Sequence, residues 1–169
     1  MRIPISEALA GVGAQPQDVD IVINCHLHAD HAGGNVDFPG ARILVHPAEL
    51  AAAREPDYTI AEDLNLDGGR YEEREGEYEL IPGIRVLPTP GHSPGHQSVL
   101  IETDAGRLLL AGQCYRDASG FGRAVTALEL ARAGHADVPE TPEWLPRLLA
   151  LEPDRVAFGH DRAIWVADA

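Results

Sequence analysis

NCHLHADHAGG, residues 24–34, is the stretch whose reading decides the fold. His26, His28, Asp30 and His31 fall within six positions, and Gly33 and Gly34 follow. The chain has only 8 histidines, so three in one short run need a reason. Imidazoles clustered beside a carboxylate are costly to bury unless something binds them. The preceding residues, DVDIVINCHLH (18–28), alternate and are rich in β-branched side chains, which predicts a strand running into the cluster. Residues two apart in an extended segment share a side, so His26 and His28 are expected to point the same way. Asp30 and His31 then fall at a turn, where Ala32-Gly33-Gly34 permits close backbone packing and predicts the opening of a helix. Imidazole and carboxylate donors together suit zinc and similar first-row metals.

One segment does not close such a site, and further donors are expected from loops at the ends of other strands. TPGHSPGH (89–96) offers His92 and His96, and FGHD (158–161) offers His160 and Asp161. Both follow apolar runs, and a glycine precedes His92, His96 and His160, which lets the backbone approach a ligand closely. His96 reads as a structural or supporting residue rather than a ligand. His46 and His135 have no partners in sequence and default to surface or structural roles. Cys25, at a strand end, reads as a small buried hydrophobe.

Composition narrows the function. Of 169 residues, 44% are hydrophobic, which suits one globular domain, residues 1–169, with a real core. The net charge of −14 repels phosphate backbones and anionic membranes, so no nucleic-acid or membrane partner is expected. All 13 basic residues are arginine, which excludes Schiff-base and lysine-base chemistry. The N-terminal stretch lacks a signal-peptide pattern, no apolar run approaches a membrane span, and a cytoplasmic protein with two reduced thiols is expected.

Along the chain, helices are predicted over 6–12, over PAELAAAR (47–54), which starts on Pro47, and over TPEWLPRLLALEP (141–153), with Thr141 as cap. ARILVH (41–46) reads as a strand, 55–69 as a loop, and RYEEREGEYE (70–79) as a solvated face. YELIPGIRVLPTPGH (78–92) suggests two strands about Pro82-Gly83, and QSVLIETDAGRLLLAG (97–112) a hairpin turning at Asp104-Ala105-Gly106. DRVAFGHDRAIWV (154–166) reads as a buried strand and its exit. Strands with helices between them, and no clean βαβ alternation, predict an α+β fold of layered sheets.

The order HxHxDH, TPGHSPGHQS, FGHD resembles the metallo-β-lactamase superfamily of metal-dependent hydrolases. HLHADHAGGN, the stretch 78–103 and VAFGHD are most similar to its N-acyl-homoserine lactonase branch, over about residues 17–161. The resemblance implies an αββα sandwich, here N-terminally truncated because the family's first strands precede HxHxDH. It implies that His26, His28 and His92 hold one metal and Asp30, His31 and His160 a second, zinc or another divalent ion. A metal-bound hydroxide would be the nucleophile, with Asp30 both ligating and orienting it. The family's bridging aspartate after the LLLAG strand is replaced by Gln113, a neutral and weaker ligand; Cys114 and Asp117 are the nearby substitutes. A family tyrosine three residues further on has its nearest counterpart in Tyr115, only two residues after Gln113.

The expected activity is hydrolysis of a lactone or other ester-like bond, in the manner of quorum-quenching lactonases. A glyoxalase II-like thioesterase is the alternative within enzymes; a truncated, inactive metal-binding remnant is the alternative outside them. Sheet edges left open by truncation predict self-association.

Overall fold

The structure, a computed structural model, describes residues 4–60, 64–68 and 70–167. Of the loop expected over 55–69, residues 61–63 and 69 lie outside the described residues. The chain groups into two compact units, Met1–Glu75 and Gly76–Ala169.

In the first unit, α1 (Ile5–Ala10), β1 (Ile21–Ile23), α2 (Ala29–Ala32), β2 (Arg42–Val45), α3 (Pro47–Ala52) and β3 (Tyr71–Glu73) follow in chain order. The strands form one parallel sheet in the order β1-β2-β3, with Ile21 opposite Arg42 and Ile43 opposite Tyr71. This corrects the expectation of no βαβ alternation. The connecting helices have only 4 and 6 residues, too short for a 3.6-residue period to declare itself. The strand is also shorter than the 18–28 predicted. It ends at Ile23 because Asn24, buried, exchanges side-chain amide hydrogen bonds with Asn35 at 2.8 and 3.2 Å. β3 comes from the run read as a solvated face. Its Glu72 pairs with Arg42 and Arg74, while Tyr71 packs against the core and donates its hydroxyl to the Leu64 carbonyl. Leu27, Ala32, Val45, Leu50, Ala53 and Leu64 form that core.

The second unit holds β4 (Tyr78–Ile81), β5 (Ile84–Pro88), β6 (Gln97–Thr103), β7 (Gly106–Leu110), α4 (Ala118–Arg132), α5 (Leu145–Leu149), β8 (Arg155–Ala157) and β9 (Trp165–Val166). They make a 6-stranded sheet in sequential order. Hairpins join β4 to β5 and β6 to β7; Gly83 (φ +83°) and Gly106 (φ +99°) supply the left-handed turn residues, as expected at both. β7 and β8 are parallel, so the chain crosses over through α4 and α5. β5 is antiparallel to β6 and β6 to β7, so β5, β7 and β8 all run the same way. Their C-terminal ends therefore lie on one edge of the sheet.

α4, with 15 residues, was not anticipated from sequence. Gly120 and Gly122 weaken its propensity, yet Asp117 caps it by accepting the Gly120 N–H at 2.6 Å, and Phe121, Ala127 and Leu128 bury its inner face. α5 starts four residues after the Thr141 cap predicted. Pro142 begins a turn whose carbonyl accepts the Leu145 N–H, and the Trp144 indole is held by the Pro90 carbonyl at 2.9 Å. Phe121, Leu145 and Val156, all fully buried, centre the core of this unit. No helix of the described residues is long and apolar enough to cross a membrane.

Candidate metal centre

After β1 the backbone stays extended, and its alternation divides the HLH run. Leu27, fully buried, drops into the first unit's core, so its neighbours His26 and His28 project away from that core. Their rings stand 4.7 Å apart, centroid to centroid. His28 then caps α2, a single turn in which the His31 and Ala32 N–H groups both return to the His28 carbonyl. That turn brings the His31 ring to 4.2 Å from His26 and leaves its Nε2 3.5 Å from the Asp30 carboxylate. The glycines follow α2 and open a 3-10 helix, Gly33–Asp37, so the expected helical opening is there in 3-10 form. Gly34 gives the close packing: a Cβ there would lie 2.3 Å from Ile5 Cδ1 of α1.

Three imidazoles whose centroids lie within 5 Å along this path, with His26 fully buried and a carboxylate at the rim, are a donor set that fits a borderline divalent cation. Two features that sequence reading missed hold them. Glu49 on α3, fully buried, accepts the Leu27 N–H at 2.8 Å and the Tyr58 hydroxyl at 2.5 Å. The Tyr58 ring lies 4.8 Å from that of His28. Glu49 sits in the predicted PAELAAAR helix, and a carboxylate at a position facing the core was the available signal. Burial pushes the Cys25 thiol up to about 11, in keeping with a small hydrophobe, and neither cysteine is in a disulfide.

In the second unit the candidate donors sit beyond three different strands. His92 follows β5, Gln113 follows β7 and His160 follows β8. The shared direction of those strands puts all three on one edge of the sheet. His92 and His160 are exposed; Gln113 and Tyr115 are half-buried. Asp117 is committed to capping α4. Asp161 accepts N–H groups from Ala163 and Ala118 at 3.0 and 2.9 Å, and those bonds hold its carboxyl below the ordinary value. It pins the start of α4. Tyr115 stacks edge-on against Phe121 and Trp144 at 5.7 and 5.9 Å, and burial, then Cys114, raises its phenol. His96 is fully buried and hydrogen-bonded through both ring nitrogens, to Thr89 and to the Gln113 N–H.

The metallo-beta-lactamase superfamily profile matches residues 2–160, across both units. The chain belongs to the metallo-beta-lactamase superfamily. An N-acyl homoserine lactonase of Bacillus cereus is 46% identical over 102 residues, 60% of this chain and 40% of that protein. The N-acyl homoserine lactonase AttM of Azorhizobium caulinodans is 31% identical over 166 residues, 91% of this chain and 62% of that protein. Among solved structures, an N-acyl homoserine lactone hydrolase with the product N-hexanoyl-L-homoserine bound at its catalytic metal center matches with a TM-score of 0.67 and 34% identity, covering 94% of this chain and 62% of that one. A Thermotoga maritima protein shares the fold at a TM-score of 0.75 and 21% identity. The α+β fold expected from the resemblance is thus the fold of the superfamily. The chain spans about two fifths of the length of the Bacillus relatives it matches.

Proposed function

We propose that this chain is a metal-dependent hydrolase of lactone or ester bonds, of the N-acyl homoserine lactonase kind. The observation that carries the reading is the His26–His28–His31 cluster beside Asp30, within a chain 46% identical to a lactonase over 102 residues. In this reading His26, His28 and His92 would hold one zinc-like ion, and Asp30, His31 and His160 a second, with Gln113 at the sequence position of the family's bridging aspartate. Divalent ions so held lower the pKa of bound water toward neutrality and polarise a carbonyl.

The chain's own residues do the rest. The Asp30 carboxylate would orient the attacking water, take up its proton as the carbonyl is attacked, and return it to the ring oxygen as the C–O bond breaks. The raised phenol of Tyr115 stays protonated at neutral pH and donates its O–H to the substrate carbonyl oxygen. Gln113 offers a dipole where the family offers a charge. At an effective dielectric near 20, two unit charges 4 Å apart interact by about 4 kcal/mol, so the second ion binds more weakly than the first. The net charge of −14 supports a small neutral substrate rather than a nucleic acid or a membrane. Opening such a lactone is quorum quenching in effect. Two cysteines outside any disulfide support the cytoplasm as its compartment. Self-association is proposed through β1, β3, β4 and β9, the outer strands of the two sheets.

The test is zinc content of the purified protein, with hydrolysis of an N-acyl homoserine lactone and of a thioester measured side by side. Lactone opening that depends on zinc is expected. Preferential thioester cleavage would replace the lactonase with a thioesterase. Zinc bound without hydrolysis would leave a metal-binding remnant.

A further inference from the structure

We propose that His96 is a positioning residue for the metal centre, fixing with one neutral imidazole both the loop that carries His92 and the turn that carries Gln113. The inference rests on the metal-centre reading above and adds a role for a residue that reading leaves aside.

The hydrogen bonds of His96 determine its protonation pattern. The Gln113 backbone N–H lies 2.9 Å from Nε2 and can only donate, so Nε2 carries a lone pair. Nδ1 therefore carries the proton, which it donates to Thr89 Oγ1 at 2.9 Å. The Thr89 hydroxyl, having accepted, donates to Ser98 Oγ at 2.8 Å, and Ser98 Oγ donates to the Ala111 carbonyl at 3.3 Å. Thr89, His96 and Ser98 are all buried, at 1%, 0% and 0% exposure, so water does not compete for these bonds. The relay begins at the Gln113 N–H and ends at the Ala111 carbonyl. It starts and finishes on the same turn.

Two further ties make that turn a fixed point. Gly112 takes a left-handed φ of +56°, and its carbonyl accepts the Gly159 N–H at 2.7 Å, immediately before His160. The loop that carries His92 is closed at its base by the Thr89 N–H on the His96 carbonyl at 2.8 Å. His96 thus joins two segments directly, and the Gly112 carbonyl ties a third to the same turn; each carries one proposed metal-facing side chain. Both of its ring nitrogens are engaged inside the protein, so it acts on the metal through its neighbours.

The experiment titrates zinc alone into metal-free parent, His96→Phe, His96→Gln and Leu148→Ala by calorimetry, and records the Tm of each. His96→Phe keeps the ring volume and loses both nitrogens; its zinc affinity should fall at least about tenfold. In His96→Gln the amide oxygen can accept the Gln113 N–H, and affinity should recover to within about threefold of the parent. Leu148, buried in α5, is remote in sequence from the relay. Its truncation should lower Tm without changing zinc affinity. Parental affinity in His96→Phe, or an equal loss in Leu148→Ala, would overturn the proposal.

Should His96→Phe not fold, Thr89→Val decides in its place: weaker zinc binding supports the relay and parental binding overturns it. Imidazole 15N shifts of His96 should show the Nδ1–H tautomer, and an Nε2–H tautomer would contradict the geometry. His28→Ala separates the two ideas. If it binds zinc like the parent, the metal-centre reading fails and this inference with it. If it loses zinc while His96→Phe keeps it, only the positioning role fails.

Discussion

The two units place their candidate donors by opposite means. The first gathers His26, His28, Asp30 and His31 in one six-residue run, with Leu27 anchored in the core and Glu49 on one backbone N–H. The second takes His92, Gln113 and His160 from the ends of three strands and depends on sheet direction and a buried relay through His96 to hold them. A local site is a property of a short stretch of chain. A distributed one is a property of the fold. Damage to the first unit should therefore disturb the histidines through one short stretch of chain, whereas in the second it should act through the network.

The largest effect is expected at Leu27. Leu27→Ala empties a fully buried position between two candidate ligands, and large-to-small changes at such sites cost about 2–5 kcal/mol. Urea unfolding should show that loss, and NMR shifts of His26 and His28 should move with it. An intact histidine arrangement after Leu27→Ala would mean that the run does not depend on the Leu27 anchor, and the contrast between the units would narrow.

A smaller effect is expected in the second unit at Asp161, which is offered by FGHD but serves the start of α4. Its folded-state carboxyl lies below the ordinary value because the Ala163 and Ala118 N–H groups donate to it. A depressed carboxyl contributes stability above its unfolded pKa and loses it as pH falls through the folded value. Asp161→Asn should thus be less stable than the parent at neutral pH, and the gap should close as pH falls through the depressed folded value. A gap that persists in acid would point to a lost shape rather than a lost charge.

What could be read from the sequence follows the same division. HxHxDH was legible because its spacing is local: a period of two in extended backbone and one turn after it. The hairpins at Gly83 and Gly106 were legible because a left-handed φ leaves glycine as its mark. The parallel sheet of the first unit was not, because helices of 4 and 6 residues carry no readable period. α4 was missed because Gly120 and Gly122 mask a helix whose stability comes from burying Phe121. Glu49 was missed, and His96 reads as a structural or supporting residue without its partners. Their partners, Leu27 and Gln113, lie 22 and 17 residues away, and only the folded chain brings them together.

The proposal rests most on His28 and His92 as zinc ligands. Elemental analysis of zinc in the parent, His28→Ala and His92→Ala tests it most directly, with Gln113→Asp as the gain-of-charge partner. The account predicts at least one zinc in the parent, its loss in both histidine variants, one from each unit, and a rise toward two in Gln113→Asp. Parental zinc content in either histidine variant would contradict it.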